Sequence, residues 1–166
     1  MRLISDIARD IDDYAEYSSK LRMTCKHLRI FMIASPFLNF RDALSHYISL
    51  YEAKTNNDKI KQETSIYEHL SRGFKDGCVC ILYEMRDRVT KALESAQTKP
   101  EKCVFRKHMH EYKRMEIEIR SGDKLTDIKS LFKFADKLID IIRNTESAFL
   151  SYKARFKANA NHRLPV

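Results

Sequence analysis

Turn-forming residues are scarce in this chain, with glycine and proline occurring three times each in 166 residues. Such a shortage leaves little for a turn-rich architecture and predicts an all-α protein made of long helices. Long apolar runs are missing too: no stretch approaches the ~18 apolar residues of a membrane span, and acids occupy the N-terminal region where a signal peptide would be apolar. The expectation is a soluble, cytoplasmic protein with no membrane partner. Cysteine is sparse and scattered. Cys25, Cys78, Cys80 and Cys103 lack the even spacing of a secreted disulfide scaffold and fit a reducing compartment, as small core residues. A zinc site from Cys78, Cys80, Cys103, His108 and His110 would lack the usual two-residue gap between ligands, so no metal is expected.

Charged residues make up 33% and hydrophobic residues 43%, enough for one domain with a substantial core. Residues 1–158 read as a single antiparallel up-down bundle of four to five helices, with 159–166 as a frayed tail. Leu3, Ile7, Ile11, Tyr14, Leu21, Cys25, Leu28 and Phe31 mark one face of a first helix running to about Ala34, where Pro36 stops it. A short helix from about Phe40 to Lys54 follows. After the turn at 55–58, Ile60, Tyr67, Leu70, Phe74, Ile81, Met85, Val89 and Leu93 trace a third helix, with a kink, a break or a close helix contact expected near Gly73 and Gly77. Pro100 opens the fourth, with Val104, His108, Met115 and Ile119 inward. The fifth begins near Lys124 and carries Leu125, Ile128, Phe132, Ala135, Leu138, Ile142, Phe149, Tyr152 and Phe156 at helical spacing.

The net charge is +8 and unevenly placed. Residues 21–41 hold Arg22, Lys26, Arg29 and Arg41 without an acid, and residues 102–114 hold Lys102, Arg106, Lys107, Lys113 and Arg114 against Glu111 alone. A third basic excess, Lys153, Arg155, Lys157 and Arg163, ends the chain. Such patches concentrate polyanions and bind nucleic acid without reading sequence. Lys26, Arg29, Arg106, Lys107, Lys113 and Arg114 are the candidate RNA contacts, joined by His108 and His110 on the fourth helix, and Tyr47, Tyr51 or Tyr112 would stack on bases where exposed. For any single patch, a solvated helix face is the better reading. His27 and His69 read as surface or core-edge residues.

Chemistry concentrates in Arg41-Asp42-Ala43-Leu44-Ser45-His46. Histidine exchanges protons near neutral pH, and arginine grips a phosphate with two parallel donors, so the pair is a minimal kit for cleaving a phosphodiester. With Asn39 as N-cap, Arg41 would stand at a helix mouth and Asp42 in its first turn. Phe40, Leu44, Tyr47 and Tyr51 would be buried, leaving Arg41 and His46 about 140° apart on the outer flanks. Asp42 is spaced to orient His46, and Ser45 to add a hydroxyl to the same patch.

Phe-Arg-Asp-Ala-Leu-Ser-His-Tyr, opening a helix in a small helical domain, resembles the Arg-x4-His signature of the HEPN superfamily. The resemblance implies a helical bundle that homodimerises so that two motifs line one cleft. Many members are metal-independent endoribonucleases of toxin–antitoxin, phage-defence and CRISPR systems. By that resemblance Arg41 and His46 are the catalytic pair and Asp42 their polar support, and a cognate antitoxin or other protein is a candidate partner. Toxins of this kind that are silenced by nucleotidylation usually carry a tyrosine two positions after the histidine. Ile48 stands there instead, so that regulation is not expected. The reaction would need no cofactor. A ribose 2′-hydroxyl attacks the adjacent phosphate, leaving a cyclic phosphate and a 5′-hydroxyl. Beside this stands a second reading, a basic helical bundle that binds RNA or a protein partner without catalysis, in which Arg41 contacts phosphate or solvent and His46 makes a structural hydrogen bond.

Overall fold

The computed structural model describes residues 2–28, 35–121 and 127–161, excluding the side chains of residues 25, 27, 28, 35–37 and 156–161. Five α-helices account for nearly all of it, with no strand among the described residues: α1 (Ile4–Leu28), α2 (Ser35–Glu52), α3 (Asn56–Ser95), α4 (Lys99–Ser121) and α5 (Ile128–Asn161). The all-α bundle is as expected, while several boundaries are not. Residues 29–34 and 122–126, which include Arg29, Phe31, Ala34, Lys124 and Leu125, lie outside the described residues, as do 162–166. The fifth helix runs to Asn161, past the expected start of the tail.

At 1.5 Å per residue α3 is a spine ~60 Å long. Thr55 starts it, its hydroxyl accepting from the Asp58 amide at 3.1 Å. It continues unbroken through Gly73 and Gly77, both buried. The ring of Phe74 packs there against Tyr14 of α1 and Phe132 of α5, so tertiary packing outweighs the ~1 kcal/mol that each glycine withholds. Paired side chains set the directions. Asn39 with His69 and His46 with Gln62 lay α2 antiparallel on the first half of α3. Arg86 with Glu116 and Arg120 with Tyr83 lay α4 antiparallel on its second half. The fifth helix returns against α4, through Lys137 with Glu118 and Thr145 with Tyr112.

Ile7, Ile11, Tyr14 and Leu21 of α1, Leu70, Ile81, Met85 and Val89 of α3, and Ile128, Phe132, Ala135, Leu138 and Ile142 of α5 are buried as their spacing predicts. Leu3 and Ile60, at the open ends of their stripes, are exposed. On α4 the inner face is Phe105, His108, Tyr112, Met115 and Ile119, and Val104 is turned outward beside it. Cys78 is in the core, Cys80 half-buried and Cys103 exposed, so the cysteines are not uniformly core residues.

Candidate functional site

The helix carrying the motif begins earlier, and faces differently, than its sequence suggests. It starts at Ser35 with Pro36 in the first turn, where a missing N–H leaves no bond unmade. Proline therefore belongs to the start of α2, and Asn39 is not an N-cap. Asn39 lies inside the helix, buried, with its amide oxygen facing Nδ1 of His69 at 3.3 Å. Asp42 is consequently beyond the first turn, which holds no acid, and Arg41 is not at a helix mouth.

The buried line of α2 runs Asn39, Ala43, Leu50, with His46 half-buried along it, one residue out of phase with the expected line of Phe40, Leu44, Tyr47 and Tyr51. One residue is 100° of rotation. Phe40 and Tyr47 flank the core, whereas Leu44 and Tyr51 are 36% and 62% exposed. The polar residues Asn39 and His46 can face inward because α3 offers them His69 and Gln62. A paired polar group is cheap to bury, and apolarity alone does not identify the inner face. His46 thus turns toward α3, with Nδ1 2.7 Å from Gln62 Oε1 and its ring stacked on His69, centroids 5.3 Å apart.

Arg41 is exposed, and its Nε and a terminal nitrogen both donate to Asp42 Oδ1, at 3.0 and 2.8 Å. These bonds hold the Asp42 carboxyl below the usual carboxylate range, helped by attraction to His69 and then His46. Asp42 is thus hydrogen-bonded to Arg41 and acts on the imidazoles only by attraction across space. Ser45 gives its hydroxyl to the Arg41 carbonyl at 3.2 Å, a local bond within the helix. His69 and Gln62 escaped sequence reasoning about the site. The signal that could have found them is reflection about Lys54, in the connection between α2 and α3, which sets 46 opposite 62 and 39 opposite 69.

Outward on the same helix lie Leu38, Arg41, Leu44, Ser45, Ile48 and Tyr51, with Ile48 61% exposed. A polar motif is therefore flanked by apolar side chains open to the outside. Tyr51 is tied to Tyr47 by a hydroxyl contact of 2.8 Å.

The remaining candidate residues form a separate region. Arg106, Lys107, His110, Lys113 and Arg114 are all exposed on the outer side of α4, and Lys26 is exposed on α1. The acids of α4 are engaged elsewhere: Glu111 with His108, Glu116 with Arg86 and Arg120, and Glu118 with Lys137. Two residues leave the proposed RNA face. His108 is buried, with Nδ1 3.2 Å from Thr145 Oγ1, and Tyr112 is buried with its hydroxyl donating to Thr145 at 2.9 Å. Arg86, opposite Glu116 at the near end of the α4 face, lies ~36 Å along α3 from Gln62, the partner of His46, so that face begins ~36 Å or more from His46.

A groove of about 930 Å³ lies elsewhere along α3. It is lined by Arg2, Arg72 and Lys75 together with Glu63, Glu68, Asp76 and Asp127, a mixture of signs without one electrostatic preference. Among the described residues no cluster of histidine, cysteine and carboxylate side chains is suited to hold a metal ion, and no helix is long and apolar enough to cross a membrane. No family model, curated protein or solved structure matches this chain.

Proposed function

We propose that this protein is a HEPN-like, metal-independent endoribonuclease acting on single-stranded RNA, with Arg41 and His46 as its catalytic pair and its site completed across a homodimer. The observation that carries the reading is that one helix holds an exposed Arg41, paired with Asp42, and a His46 stacked on His69. In this reading Arg41 exchanges Asp42 for the scissile phosphate and stabilises charge growing on its oxygens, while His46 moves a proton. The dimer is supported by Leu38, Leu44, Ile48 and Tyr51, which lie exposed along α2 with Arg41 and would be buried by a second copy. A toxin or phage-defence role, with a cognate antitoxin masking the motif, belongs to the same reading.

The test is RNA cleavage in EDTA by the natural protein, Arg41→Ala and His46→Ala. The expectation is cyclic-phosphate product from the first and a loss of about 100-fold or more in each variant. Equal cleavage by all three, or none by any across varied RNAs, removes the reading.

One observation favours the alternative, a basic bundle that binds RNA without catalysis. The cations of α4 form an outward face whose acidic neighbours are already paired, ~36 Å or more from His46, so this face can bind RNA independently of the motif. Binding that survives Arg41→Ala and His46→Ala, in a protein that cleaves nothing, selects this alternative.

A further inference from the structure

His69 has no part in the two-residue mechanism, yet it is built into the same site. It stands on α3, half-buried, its ring tilted 22° from the plane of His46. Each imidazole is anchored at Nδ1 by an amide oxygen of the facing helix, His46 by Gln62 and His69 by Asn39. An amide oxygen only accepts, so Nδ1 bears the hydrogen in both rings. Nε2, which has no protein hydrogen-bond partner in either ring among the described residues, is then the nitrogen left to exchange a proton. The two anchors are matched. Both histidines are held in one tautomer, and the stack sets their centroids 5.3 Å apart, close enough for both to reach one substrate.

One ring of such a pair starts neutral and the other protonated. We propose that His69 is a second catalytic residue, the general acid of a paired-histidine site in which His46 is the general base. The inference rests on the nuclease reading above. His46 Nε2 takes the proton of the ribose 2′-hydroxyl and O2′ bonds to phosphorus. The bond from phosphorus to O5′ breaks, and O5′ takes the proton from His69 Nε2. The products are a 2′,3′-cyclic phosphate and a 5′-hydroxyl, with His46 protonated and His69 neutral until water exchanges the proton back.

A histidine that merely packs against His46 would have to be told apart from one that donates. Two substrates do this: an RNA oligonucleotide, whose 5′-alkoxide needs a proton to leave, and uridine 3′-(4-nitrophenyl phosphate), whose nitrophenolate leaves without one. His69→Gln, which keeps a polar group against Asn39, and His69→Ala are expected to lose about 100-fold or more on RNA and less than about threefold on the nitrophenyl ester. His46→Ala is expected to lose activity on both. Equal losses of the His69 variants on the two substrates, or full activity on RNA, overturn the assignment while leaving the nuclease reading intact. A natural protein inactive on both substrates overturns the nuclease reading, and the assignment with it.

Discussion

His46 and Gln62 meet across the α2–α3 interface, Nδ1 of the imidazole donating to the amide oxygen at 2.7 Å. The contact fixes which nitrogen of His46 carries hydrogen and which way the ring faces. Gln62→Leu removes the acceptor and leaves a part-buried N–H unpaired, which costs about 1–3 kcal/mol. Urea unfolding followed by circular dichroism should show a lower midpoint at unchanged slope. In the nuclease reading the same variant loses kcat more than it changes KM, because the imidazole is present but no longer held. An unchanged midpoint would mean that water replaces Gln62 without penalty.

The outer face of α2 gives a prediction about assembly. Ile48 and Leu44 flank Arg41 and are exposed in the single chain, so a dimer formed there buries both. Ile48→Glu and Leu44→Glu place a charge in that contact while adding nothing to the core. Sedimentation velocity is expected to find a dimer for the natural protein and a monomer for each variant, with helical content unchanged. A natural protein that is monomeric across the accessible concentration range excludes this face as a dimer interface.

Asp42 competes with phosphate for Arg41. Hydrogen bonds from Arg41 hold its carboxyl below the usual range, so the ion pair persists above that range and is lost only as pH falls through the depressed value. Asp42→Asn removes the negative charge and frees the guanidinium. Fluorescence anisotropy with a 2′-deoxy substrate analogue should show tighter binding at neutral pH. Cleavage should nevertheless slow, because the imidazoles lose their neighbouring carboxylate. Weaker binding would assign Asp42 to positioning Arg41 rather than to restraining it.

The cations of α4 predict a salt dependence. Each phosphate contact on a single strand contributes roughly 0.7 to the slope of log affinity against log salt. Lys113→Ala with Arg114→Ala is expected to lower that slope by roughly 1.4 if both touch the backbone. Because this face is ~36 Å or more from His46 along α3, cleavage of a dinucleotide should be unaffected while affinity for a long RNA falls. An unchanged slope would leave the face as a solvated surface.

Most of the fold could be read from apolar periodicity because, along α3 and α5, the large apolar side chains face the core. Leu70, Phe74, Ile81, Met85 and Val89 show this on α3, and Ile128, Phe132, Leu138 and Ile142 on α5. On α2 the rule misleads. Asn39 and His46 turn inward because partners across the helix pair satisfy them, while Leu44, Ile48 and Tyr51 stay outward. Such long-range pairing leaves no mark in a local stripe. The start of α2 was misplaced for a related reason: Pro36 has the same local preference whether it follows one helix or lies in the first turn of the next. Arg41 and His46 were legible as residue types at a suggestive spacing. The anchoring of His46 by Gln62, and the presence of His69, depend on how α2 folds back along α3.

Buried phenols predict the behaviour of the bundle at high pH. Burial pushes Tyr14 up to about 12. Tyr67 is raised further by burial and by donating to Asp10 at 2.6 Å, and Tyr112 by burial in the core. A phenol whose folded value is raised contributes its full stability below the unfolded value and loses it as pH rises toward the folded one. Stability should therefore fall steadily above about pH 10, the range in which an unfolded tyrosine ionises. Absorbance at the phenolate band should count markedly fewer than eight ionised tyrosines in the native protein at about pH 11, and all eight in guanidinium. Ionisation of the shielded tyrosines should coincide with loss of helical circular dichroism, since exposing these phenols requires opening the interfaces of α3 with α1 and of α4 with α5. A full count of phenolates in a protein that is still helical would show that these side chains are less enclosed than their packing implies.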